Sequence, residues 1–126
     1  MSLIHYLIIG SGGALGAVSR VVLTKALPET VLTSFPLQIF VVNVLGCFVM
    51  GLLVELMALY WSTHLHLRSF ITTGFLGGFT TFSAFALEVG LLVEKNMHGW
   101  AIFYAILSVT LSLLAFFMGM KLVRWV

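Results

Sequence analysis

Charge is what this sequence most lacks. Six Lys and Arg and four Asp and Glu are spread over 126 residues, giving a formal net charge of +2. So thin and scattered a charge provides no basic stripe for a nucleic-acid backbone. Cysteine occurs once, at Cys47, which excludes an internal disulfide. Lying in an apolar run, Cys47 reads as a small buried hydrophobe. Paired carboxylates, a Ser/His/Asp grouping that the chain could assemble, and a phosphate loop are all missing. Gly10, Gly12 and Gly13 lack the strand-to-helix setting of a nucleotide fingerprint. An enzyme is therefore not expected. The N-terminus has neither the basic flank nor the small-residue cleavage site of a secretory signal, so the first apolar stretch is expected to be retained.

What the chain has is apolar surface. Hydrophobic residues make up 61% of it and its mean hydropathy is +1.17. A soluble domain of this size leaves too much of its surface in water to hide that content. A bilayer span needs about 20 apolar residues, and four stretches meet the requirement: Leu3–Ala26, Leu37–Trp61, Phe70–Val93 and Trp100–Val123. They leave room for one four-helix transmembrane domain over residues 1–126 and for no soluble module. The breaks carry turn signals and charge, at Pro28 and Glu29, at His64 to Arg68, and at Glu94 to Gly99. Trp61, Trp100 and Trp125 lie at expected span ends, where amphipathic rings favour the interface.

Four spans place both termini and the loop between spans two and three on one side. Arg68, Lys121 and Arg124 lie there, against Lys25 and Lys95 opposite, joined by Arg20 if it snorkels. The Lys/Arg surplus that normally fixes orientation is nearly absent. Either a small bias orients every chain alike, or chains insert both ways and pair antiparallel; the charge count leaves both open.

Several residues are unexpected at membrane depth. The segment Gly74 to Phe85 combines three glycines, two threonines, a serine and four phenylalanines. Such a composition suggests a broken helix, and broken backbone in a bilayer must be buried by protein or line a watery cavity. Gly12 and Gly16 form a small-xxx-small surface for close helix approach, and Gly46 and Gly51 fit the same role on helix two. Asn43 carries an amide that either bonds a neighbouring helix or presents donors to an anion. Tyr104, Ser108 and Ser112 share one helix face at i, i+4, i+8; they read as a solvated track or as ordinary helix-to-backbone bonds. Phe82 and Phe85 project to one side, as core packing or as ring edges of positive potential. Arg20 and Glu88 read as the charges deepest in the spans, where a central charge costs about 3 kcal/mol. Arg20 either snorkels or draws anions into a vestibule; Glu88 either pairs or sits near a pore mouth. His5, His64, His66 and His98 read as interfacial residues, not a metal site.

The motifs Gly12-x-x-x-Gly16-x-x-x-Arg20, Asn43-x-x-Gly46 and Gly77-Gly78-Phe79-Thr80-Thr81-Phe82-Ser83-Ala84-Phe85, with the Tyr104/Ser108/Ser112 face, resemble the Fluc (CrcB) fluoride channels of microorganisms over essentially the whole chain. Ala84 departs from the threonine common there. The resemblance implies a fluoride channel that passively exports the ion from bacteria, as a multi-pass protein of the cytoplasmic (inner) membrane. It implies an antiparallel dual-topology homodimer with two fluoride pathways. Phe82 and Phe85 would line them, with Asn43 as amide donor, Ser108 and Ser112 along a polar track and Tyr104 beside it. It also implies a structural sodium ion at the dimer centre, held by the backbone carbonyls of Gly77 and Thr80; a hard cation takes oxygen ligands. Two other readings compete. A small dual-topology multidrug transporter needs a carboxylate in its first helix, and Leu3 to Ala26 contain neither Asp nor Glu. A non-conducting assembly subunit does not need a broken helix together with a polar stripe.

Overall fold

In a computed structural model, residues 1–28 and 35–126 are described. They form helices α1 (Leu3–Ala26), α2 (Leu37–Leu59), α3 (Leu65–Ser69), a π-helical segment (Phe70–Leu76), α4 (Gly77–Phe79), α5 (Phe82–Glu94) and α6 (His98–Trp125). Among the described residues there is no strand, and four helical segments are long and apolar enough to cross a bilayer: Leu3–Ala26, Leu37–Leu59, the composite Leu65–Glu94 and His98–Trp125. The third and fourth start earlier than sequence periodicity suggests.

Local chemistry sets the ends. Pro28 disfavours the helical region at the residue before it, and Leu27 is extended at φ −85°, ψ 144°. The accompanying Glu29 of that turn lies outside the described residues. Between α5 and α6 the reversal takes three residues. Asn96 adopts φ 58°, a left-handed conformation that Asn tolerates. The amide of Asn96 donates to Val93 O at 3.0 Å and that of Met97 to Leu92 O at 2.9 Å, the pair of bonds that closes a Schellman cap.

Two helix pairs build the frame, and both are joined through glycine. α1 lies along the π-helical segment and α4, where a Cβ on Gly12 would meet Gly74 Cα at 3.1 Å and one on Gly78 would meet Gly13 Cα at 3.0 Å. Gly16 faces Phe75 and Phe79 backbone at 2.9 Å in the same way. α2 lies along α6, where Gly51 faces Phe116 and Gly119 faces Leu52 N at 2.9 Å. Apolar side chains gain nothing by leaving lipid, so close backbone approach supplies the packing. Gly46 instead opens α2 towards Phe79 and Thr80.

The end that holds α1's start, α3 and the C-terminus is pinned twice. Glu55, only 6% exposed, accepts from Arg124 Nε at 2.7 Å. His5 and His66 bring their Nδ1 atoms to 3.1 Å. His5, in the first turn of α1, is thus buried, packed against a ring from the facing helix. Among the described residues no three His, Cys, Asp or Glu gather as metal ligands. The large apolar residues on the outer faces, such as Leu7, Val18, Ile106 and Leu113, are exposed, as lipid-facing residues must be.

Candidate functional site

The third span breaks at Thr80 and Thr81. Gly77 is still helical at φ −63°, ψ −35°, whereas Thr80 is extended at φ −80°, ψ 153° and Thr81 at φ −151°, ψ 119°. The break therefore falls at the far end of the glycine-rich block, with an unforeseen π-helical stretch ahead of it. Its polar groups are taken up individually. Thr80 Oγ1 turns back to Leu76 O at 2.9 Å. Thr81 caps α5, its Oγ1 accepting from Ala84 N at 3.1 Å, as an N-cap threonine does. Arg20 Nη1 donates to Gly78 O at 3.1 Å, so its guanidinium is committed to the backbone just before the break.

Asn43 closes the arrangement. Its Oδ1 accepts from Thr81 N at 2.8 Å and its Nδ2 donates to Thr81 O at 3.0 Å. Because an amide N–H can only donate, Thr81 dictates which end of the side-chain amide faces it. One Nδ2 hydrogen remains beyond the bond to Thr81. The N–H of Thr81 would serve Gly77 O in an unbroken α-helix; it is diverted to Asn43.

Beside the break opens a cavity of about 210 Å³ whose walls include Asn43, Phe82, Phe85, Ser108 and Ser112. Five sequence-selected residues from α2, α5 and α6 thus meet at one place, with Thr80 and Thr81 completing the floor. Among the described residues its walls carry no Asp, Glu, Lys or Arg. The N-terminus of α5 opens here, contributing the partial positive end of its dipole. Phe82 and Phe85 stand 5.3 Å apart between ring centroids; Phe85 is buried while Phe82 is 76% exposed. Tyr104 lies behind the wall, its ring 5.3 Å from Phe85.

Among the described residues, the hydroxyls of Tyr104 and Ser108 are buried and make no hydrogen bond of good geometry, although they lie close to each other. Leaving such a group unsatisfied costs about 1–3 kcal/mol, and two on adjacent turns of one helix face call for a polar guest. Glu88 is half-buried on α5 and, among the described residues, has no cation within ion-pair distance.

Three residues of the site and its frame escape sequence reasoning. Cys47 lines the cavity and is half-buried, where its apolar neighbours suggest a buried residue. Thr81 supplies the cap. Glu55 is the most buried charge among the described residues; a lone carboxylate in an apolar span was the available signal.

The sequence profile of the family described as CrcB-like protein, Camphor Resistance (CrcB), matches residues 7–120. The chain is 42% identical over 120 residues to a protein of Chelativorans sp. (strain BNC1) named fluoride-specific ion channel FluC, covering 95% of this chain and 96% of that one. It is 43% identical over 122 residues to the protein of that name from Granulibacter bethesdensis, covering 97% and 96%. With Rhodopseudomonas palustris (strain BisB5) the identity is 40% over 119 residues, covering 94% and 96%. With a profile match across nearly its full length and relatives at this level of identity, the chain belongs to the CrcB family.

Proposed function

We propose that this chain forms a fluoride-selective channel, through which fluoride leaves the cell passively and which thereby protects the cell from fluoride toxicity. The observation that carries the reading is the cavity at the helix break, where Asn43, Phe82, Phe85, Ser108 and Ser112 converge next to buried hydroxyls that make no hydrogen bond of good geometry. The relatives' printed name, fluoride-specific ion channel, supports it. Fluoride is compact and strongly hydrated, so a narrow path must replace its water with donors. The remaining Nδ2 hydrogen of Asn43, the hydroxyls of Ser108, Ser112 and Tyr104, and the ring edges of Phe82 and Phe85 supply them. A cavity without full charges binds weakly enough to release the ion.

The working unit in this reading is an antiparallel, dual-topology homodimer in the bacterial cytoplasmic membrane, with two fluoride pathways. The balanced Lys/Arg count supports it, as does the exposure of Phe82, a ring that a second copy would cover. A structural sodium ion would lie at the dimer centre, held by the carbonyls of Gly77 and Thr80 from both chains. The donor set fits a hard cation, and Gly77 O has lost the Thr81 N–H to Asn43. Arg20 and Glu88 act near the pathway's mouths, Arg20 from its anchorage on Gly78 O.

A proton-coupled multidrug transporter is disfavoured. α1 contains no carboxylate, the cavity walls carry none among the described residues, and Glu55 is tied to Arg124. The test is electrode-monitored fluoride efflux from liposomes holding the purified protein, with chloride as control. Fluoride efflux without chloride efflux is expected; equal efflux of both, or of neither, rejects the function.

A further inference from the structure

Cys47 follows Asn43 by one helical turn on α2, so the two side chains share a face, and the thiol lines the same cavity as Ser108 and Ser112. A lone cysteine marks nothing by itself. The independent observation is Ser108 across the cavity. It is 4% exposed, and its Oγ makes no hydrogen bond of good geometry. Ser108 and the half-buried Cys47 line the same cavity, and a hydroxyl left in that state calls for a small polar species beside it.

We propose that Cys47 is a modification site inside the anion path, reached by a small, neutral, thiol-directed electrophile, and that the adduct closes the path. The inference rests on the cavity being the path. The reagent is neutral because donors that favour an anion oppose a cation. With methyl methanethiosulfonate, the Cys47 thiolate attacks the sulfenyl sulfur. A disulfide forms between Sγ and the methylthio group, the bond to the sulfonyl sulfur breaks, and methanesulfinate departs with the electron pair. The thiol proton goes to the buffer, and no outside oxidant is consumed. The cavity, about 210 Å³, admits the added group, which then occupies part of it.

The test treats the purified protein in liposomes with this reagent, with and without high fluoride, and follows intact mass and fluoride efflux together. The expected result is one methylthio adduct per chain and efflux reduced to the level of empty liposomes. Fluoride should slow the labelling. Cys47→Ala should stay unlabelled, and its own efflux should be the same before and after the reagent. No adduct on the native protein, at a pH where the denatured chain labels fully, overturns the proposal. So does an adduct that leaves efflux unchanged. Fluoride efflux that is absent before any treatment overturns the path itself, and the block with it.

Discussion

The side-chain amide of Asn43 grips both main-chain groups of Thr81, accepting from the N–H at 2.8 Å and donating to the carbonyl at 3.0 Å. One polar side chain in an apolar span thus holds open a helix break on its neighbour. Of the two roles the sequence leaves open, the interhelical bond is the one in place, and the remaining Nδ2 hydrogen leaves the amide able to take the other.

Asn43→Asp tests both roles. An ionised carboxylate only accepts, so it meets Thr81 O with a lone pair and the cavity with a negative charge. Fluoride efflux per folded dimer should be abolished. Stability should fall by about 1–3 kcal/mol through the lost bond to Thr81 O. Efflux normalised to correctly eluting protein checks the first, a melting curve the second. Normal efflux would return Asn43 to a packing role.

The phenylalanine pair separates pore from core. Phe82 is exposed, so Phe82→Ile should change the stability of a single chain by less than about 0.5 kcal/mol. Phe85 is buried against Tyr104, and near-volume replacement there should cost less than about 1.5 kcal/mol. Efflux should nevertheless drop sharply in both. Two well-folded isoleucine variants that conduct normally would make the rings mere packing.

Sodium dependence should follow the backbone. Replacing sodium with a large organic cation should weaken assembly and efflux. Gly77→Leu should do more damage than Thr80→Ser, because the ligands are carbonyls. A dimer indifferent to the exchange on a size-exclusion column removes the ion from the reading.

Orientation is testable without function. A C-terminal tag should be reachable from both sides of the membrane, and two or three added lysines on one side should bias insertion and lower activity. Uniform orientation of the native chain excludes the antiparallel pair.

The Glu55–Arg124 pair should respond asymmetrically. Arg124→Met leaves an almost fully buried carboxylate without its partner, and a buried unpaired charge is the costly outcome. Glu55→Gln leaves a guanidinium that is largely in water. The first should lower the melting midpoint more than the second. The reverse order would mean that the carboxylate is hydrated.

The four spans were legible because each is a long apolar run, and the meeting of Asn43, Phe82, Phe85, Ser108 and Ser112 followed from family motifs. The π-helical turn over Phe70–Leu76 was not, and the break expected over Gly77 to Thr80 was legible only as a region, narrowed in the structure to Thr80 and Thr81. The place of the break goes with bonds to other helices, Arg20 at Gly78 and Asn43 at Thr81, and no spacing along one helix encodes that. Glu55 was overlooked for a similar reason: its meaning comes from Arg124, 69 residues away.

The length of α6 carries a consequence for the surrounding lipid. Its 28 residues span about 42 Å at 1.5 Å per residue, well beyond a hydrocarbon core about 30 Å thick. Its apolar part, from Trp100 to Met120, lies closer to that thickness, so the ends reach the headgroups and the helix answers a thinner bilayer by tilting. The glycine contacts at Gly51 and Gly119 and the Glu55–Arg124 bond make α2 tilt with it, so Asn43, Ser108 and Ser112 keep their register. α5, bearing Phe82 and Phe85, is the part against which that pair leans. Acyl-chain length is therefore expected to alter the cavity between them, and fluoride efflux compared in liposomes of short-chain and long-chain lipid checks it.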